Sequence, residues 1–87
     1  MKFKVVFSDK ALKQIKKLDK YTSKLIIAWI KKHLDGTTDP RIHGKGLTSN
    51  RSGQWRYRIG DYRLVVDIQD KDIIILILDI GHRKGIY

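Results

Sequence analysis

The sequence predicts an α+β domain of order β-α-α-β-β-β, with a helix pair covering one face of a small, mainly antiparallel sheet. Three observations lead there. Two stretches with apolar residues at helical spacing lie close together between residues 8 and 35. Three strand-like runs then follow one another, at 54–59, 62–68 and 73–80. A short apolar run, FKVVF at 3–7, precedes the helices.

Taken in order, FKVVF alternates weakly and reads as a first strand. Ser8 is placed to cap a helix carrying Ala11, Leu12, Ile15 and Leu18 on one face, with lysines on the other. Thr22 or Ser23 is placed to cap a second helix carrying Leu25, Ile26, Trp29, Ile30 and Leu34, and Gly36 ends it. The short link between the helices predicts an antiparallel pair. TTDPRIHGKGLTSNRSG, at 37–53, is a loop by composition. Gly60-Asp61 is a two-residue hairpin turn, and QDKD at 69–72 is the next turn. IIILIL at 73–78 is apolar on both parities, the mark of an interior strand.

With 87 residues the chain reads as a single domain, 1–87. It has no cysteine, so neither disulfides nor cysteine-based metal sites reinforce it. The start shows neither a signal peptide nor a membrane span, so a soluble cytoplasmic protein that does not engage a membrane is expected. The formal net charge of +10 points to a polyanionic partner: nucleic acid, a ribonucleoprotein or an acidic protein. Every cation before residue 35 is lysine, and all the arginines come later, at 41, 51, 56, 58, 63 and 83. Lysine suits a solvated helix face, whereas the arginine fork matches phosphate oxygens. The second half is therefore the recognition half.

The turn at Gly60-Asp61 sets the hairpin register: Ile59 opposite Tyr62, Arg58 opposite Arg63, Tyr57 opposite Leu64, and Arg56 opposite Val65. Trp55, Tyr57, Ile59, Tyr62, Leu64, Val66 and Ile68 then face the helices, and Arg56, Arg58 and Arg63 share the other face. Like charges across a sheet cost up to roughly 1 kcal/mol. Two readings stand side by side: a solvated outer face partly relieved by Asp67, or a preformed phosphate pocket.

Other chemistry is sparse. His33 suits a helix end, His43 a loop, and His82 stands beside Arg83; their spacing fits no metal site, and neither a metal nor a cofactor is assigned. GKG at 44–46 is not a P-loop. There is no glutamate, and the nine aspartates form no convincing carboxylate pair. Clustered cations with tyrosines suit phosphoryl transfer on RNA, in which a 2′-hydroxyl attacks the adjacent phosphate and guanidinium groups stabilise the added negative charge.

GKGLTSNRSGQWRYRIGDYRLVVDI followed by DIGHRKGIY resembles the RelE/ParE superfamily of toxins from type II toxin–antitoxin modules, nearest its RelE branch. The likeness runs along essentially the whole chain. It implies a RelE-like fold and an mRNA interferase, an endoribonuclease that cuts the codon in the ribosomal A site. It also implies a cognate RelB-like antitoxin, ribosome and mRNA as partners, and operator DNA met only through the antitoxin complex. By position, Arg63 matches an arginine tied to phosphate and transition-state binding. Arg83 matches a proton donor to the leaving group, and Tyr87 a tyrosine that stacks on or orients the attacked nucleotide. Arg56 and Arg58 stand where the best-known member has lysines; with Arg51 they are the candidate RNA- and phosphate-binding residues. Arginine stays protonated and is a poor base, so Lys45 or His82 is left for the 2′-hydroxyl proton, or neither. The alternative is a ParE-like toxin that inhibits DNA gyrase without being an enzyme, and a third is a degenerate module that only binds antitoxin.

Overall fold

A computed structural model describes residues 1–46 and 54–82. Their order is β1 (Lys4–Phe7), α1 (Asp9–Lys17), α2 (Lys20–His33), β2 (Lys45–Gly46), β3 (Gln54–Ile59), β4 (Tyr62–Gln69) and β5 (Ile74–His82). The strands form one sheet in the order β1-β5-β4-β3-β2. Among the described residues, only the β1–β5 pairing is parallel. The predicted α+β architecture is therefore observed, with one addition: Lys45 and Gly46, inside the predicted loop, pair with β3 at the edge of the sheet. Among the described residues no helix is long and apolar enough to cross a membrane.

The helices bury Ala11, Ile15, Ile26, Ile30 and Leu34 against Tyr57, Ile59, Leu64, Val66, Ile68, Ile75, Ile77 and Ile80 of the sheet. Leu12 and Leu25 also follow the helical spacing, yet they are 41% and 48% exposed.

Local chemistry sets the element ends. Ser8 caps α1, its hydroxyl accepting from the Ala11 amide at 3.1 Å. The second helix is capped three residues before Thr22 and four before Ser23, the caps its sequence suggests. Asp19 is the cap, accepting from the Thr22 amide at 3.0 Å. Asp19 has the extended backbone that a cap requires, and Thr22 supplies the amide donor. The hydrogen bonds from Thr22 hold the Asp19 carboxyl below its ordinary range. After α2, Gly36 takes φ +80°, and its amide donates to the Phe3 carbonyl, tying the helix end to the first strand.

Strand β5 lies inside the sheet, between β1 and β4. Beyond Ile77 it outruns β1, and α1 completes the ladder with side chains. Ser8 Oγ donates to the Leu78 carbonyl at 3.2 Å, and Gln14 Oε1 accepts from the Ile80 amide at 2.7 Å. A register shift between Val65 and Val66 interrupts the β4–β5 alternation. It moves the buried position on β5 from the odd residues Ile75 and Ile77 to the even Ile80. Ile73, predicted as the first residue of this strand, is instead a turn residue at φ +56°. A β-branched residue in that region is strained, and its side chain packs against the core.

Candidate functional site

The β3–β4 hairpin has the predicted register, Arg58 opposite Arg63, Tyr57 opposite Leu64 and Arg56 opposite Val65. Since opposed residues share a face, Arg56, Arg58 and Arg63 lie on the side away from the helices. Edge strand β2 adds a fourth cation, because Lys45 pairs with Arg56. Lys45, Arg56 and Arg58 line a pocket of about 270 Å³. Asp67 shares the face, and its carboxylate accepts from Gln69 Nε2 at 3.2 Å.

Arg63 differs from its neighbours. Among the described residues it is the one charged side chain that is buried, at 9% exposed. It sits between β3 and β5, with Arg58 opposite on one side and Gly81 on the other. A guanidinium held this way is stiff and partly dehydrated, so its attraction for a phosphate is stronger than that of a solvated lysine.

A strap of chain, Pro40–Gly44, delivers Lys45 to this face. Side chains from the opposite face of β3 hold it down. The Tyr57 hydroxyl donates to the Pro40 carbonyl, and Trp55 Nε1 donates to the His43 carbonyl at 2.6 Å. Burial pushes the Tyr57 phenol far above its usual range, so it remains a donor. Gly44 has φ +77°, and a Cβ there would lie 2.2 Å from the Arg56 carbonyl oxygen. Arg41 makes a two-pronged contact with Asp70, at 3.1 and 2.9 Å, from the turn between β4 and β5. Its guanidinium also lies over the Trp55 ring, 5.9 Å from the centroid. Hydrogen bonding between the partners raises the Arg41 pKa and lowers that of Asp70.

Above the strap, Trp29, His33, His43 and Tyr57 form an aromatic cluster. The His33 and His43 rings meet edge-on at 4.9 Å. Desolvation, then the charges of His43 and Lys32, hold the His33 pKa below its ordinary value.

The structure thus gathers Lys45, Arg56, Arg58 and Arg63 on one face. His82 is placed elsewhere: it pairs with Tyr62, their rings edge-on at 5.1 Å, on the helix side of the sheet. Arg51, Arg83 and Tyr87 lie outside the described residues. Sequence reasoning did not anticipate the edge strand or the Arg41–Asp70 pair. The two partners are 29 residues apart in the chain, and no local pattern links them.

A pair of helices on one side of a five-stranded sheet, with clustered cations on the other, defines a small RelE-like toxin fold. The chain belongs to the family of ParE toxins of type II toxin–antitoxin systems, parDE, whose model matches residues 5–87. Similar solved structures carry RelE toxins. The toxin–antitoxin complex RelBE2 from Mycobacterium tuberculosis is 26% identical with a TM-score of 0.84, over 95% of this chain and 93% of that one. The archaeal RelE–RelB complex from Pyrococcus horikoshii is 25% identical with a TM-score of 0.70, over 95% and 97%. The isolated E. coli RelE toxin is 20% identical with a TM-score of 0.75, over 92% and 83%, a likeness of fold alone. No curated protein sequence matches the chain.

Proposed function

We propose that this toxin is an mRNA interferase that cuts the codon bound in the ribosomal A site. The observation that carries the reading is the buried Arg63 with Arg58 across from it and Lys45 beside Arg56 on the same face. Four cations held within one strand hairpin and its edge suit a single phosphate group better than general solubility, which needs no enclosed guanidinium.

The reaction proposed is attack of the 2′-hydroxyl on the adjacent phosphorus, with departure of the 5′-oxygen of the next nucleotide. Arg63 and Arg58 bind the non-bridging oxygens and offset the negative charge that accumulates there. Arg56, with Arg51, holds the flanking backbone. Lys45 takes the 2′-hydroxyl proton. It is preferred to His82, which pairs with Tyr62 on the other side of the sheet. By family resemblance, Arg83 gives a proton to the leaving oxygen and Tyr87 stacks on the attacked nucleotide. The lysine-rich helices supply salt-sensitive contacts to ribosomal RNA. No cofactor is required.

The solved neighbours in complex with RelB-type antitoxins support a RelB-like antitoxin as the protein partner, with operator DNA bound only through that complex. Work at the ribosome places the toxin in the cytoplasm. The second reading, inhibition of DNA gyrase, is favoured by the name of the matching family. One experiment separates the two: purified toxin is added to mRNA-programmed ribosomes, with mRNA ends mapped by primer extension, and in parallel to a gyrase supercoiling reaction. Cleavage within the A-site codon with gyrase unaffected is expected. Intact mRNA with inhibited supercoiling would overturn the proposal.

A further inference from the structure

We propose that the Arg41–Asp70 ion pair is a positioning device, setting the strap that presents Lys45 to the cationic face. The inference rests on the RNA-cleavage reading and goes beyond it, because that reading gives neither residue a role. Asp70 lies seven residues past Arg63 along the chain, most of that span being β4, roughly 23 Å at the rise of an extended strand. Any effect of Asp70 on chemistry at Arg63 must therefore travel through the structure.

The strap needs such a device. Lys45 stands at the edge of the sheet, where among the described residues β3 is the one strand that pairs with it. The strap's ends are held at Pro40 by Tyr57 and at His43 by Trp55. Between those anchors stand Arg41 and Ile42, and Ile42 is exposed. Arg41 supplies the intermediate fastening: two hydrogen bonds to Asp70, a guanidinium over Trp55, and a backbone amide donated to Asp39 Oδ1 at 3.2 Å. A two-pronged arginine–carboxylate contact fixes orientation as well as distance. It ties the strap to the β4–β5 turn, an element different from the strand that holds its ends.

A rival role for Arg41 is direct phosphate binding, with Asp70 merely muting its charge. The two roles predict opposite signs for one substitution. Asp70→Asn removes a negative charge, so the rival role gives tighter RNA binding and faster cleavage. The positioning role gives slower cleavage at unchanged KM, because the 2′-hydroxyl loses a well-placed acceptor.

The test uses the full chain on programmed ribosomes, with kcat and KM measured for wild type, Asp70→Asn, Arg41→Lys and the exchanged pair Arg41→Asp/Asp70→Arg. Amide hydrogen exchange across residues 41–46 is followed in the same proteins. Asp70→Asn is expected to lower kcat about tenfold, consistent with a displacement of under an ångström. It should also speed exchange of the Lys45 and Gly46 amides. Arg41→Lys keeps the charge but not the fork and should fall between. The exchanged pair should recover to within about threefold of wild type, as coupled partners do. Equal or faster cleavage by Asp70→Asn, or unchanged exchange at 45–46, would overturn the proposal. A wild-type protein that cuts no mRNA would defeat the function reading and, with it, a positioning role in cleavage. The exchange data would still show whether the ion pair holds the strap.

Discussion

The two faces of the β3–β4 hairpin are built from alternating residues of the same chain, yet they do opposite work. Tyr57, Ile59, Leu64, Val66 and Ile68 are buried toward the helices. Arg56, Arg58 and Arg63 occupy the intervening positions on the other side. The first set holds the sheet to the helices through apolar burial. The second works against stability, since it places like charges opposite one another. A period of two lets a strand separate these duties residue by residue. Substitutions at neighbouring positions should therefore have effects of different kinds.

The sharpest contrast is between Arg63 and Leu64. Arg63→Met is expected to lower cleavage on ribosomes by about 10² to 10³, the cost of removing a preorganised donor from a developing anion. Its circular dichroism spectrum should remain that of a folded protein. Leu64→Ala should do the reverse, losing about 2–5 kcal/mol in urea unfolding while its folded fraction keeps the wild-type kcat. A folded Arg63→Met protein with normal cleavage would erase the distinction between the faces.

Gly44→Ala should blur the two categories, because the glycine allows the strap to approach β3. Its added Cβ would collide with the Arg56 carbonyl at a positive φ, costing about 1–3 kcal/mol and displacing Lys45. Both the unfolding midpoint and kcat should drop. Smaller again is Ser8→Ala, about 1 kcal/mol from the lost cap, with cleavage unchanged once the protein is folded.

The smallest effect expected is a pH dependence from His33. Its pKa in the folded protein lies below the ordinary value of 6.5, so over that interval the unfolded chain binds more protons than the folded one. Stability from this group is full above pH 6.5 and is lost as pH falls from there through the folded pKa. Melting curves taken between pH 7.5 and 5 should show a larger decline for wild type than for His33→Gln. Equal declines would mean that desolvation and the neighbouring His43 and Lys32 charges do not disfavour the charged ring.

Much of this arrangement was legible in the residues. Gly60-Asp61 specified the turn, and the turn specified which side chains oppose which, down to Arg58 and Arg63. The run of isoleucines and leucines marked β5 as interior, because both of its parities are apolar. What escaped was non-local. Lys45 and Gly46 pair as a strand because β3 offers an edge, and a Gly-Lys-Gly stretch carries no apolar period. Asp19 displaced Thr22 as the cap because a cap is decided by backbone conformation as well as by residue type. The strand irregularity at Val65 and Val66 changes the parity of β5 between Ile77 and Ile80. With it, His82 moves to the side of Ile80 and Tyr62, an outcome strict alternation does not give.

The account's central claim is that the arginine face stabilises a phosphate attacked by its own 2′-hydroxyl. The most direct measurement uses programmed ribosomes carrying an mRNA with a single 2′-deoxy nucleotide on the 5′ side of the scissile bond, beside the all-ribose message. The account predicts cleavage of the all-ribose codon to a 2′,3′-cyclic phosphate end, and no cleavage of the deoxy codon. Cleavage of the deoxy codon at a comparable rate would contradict it.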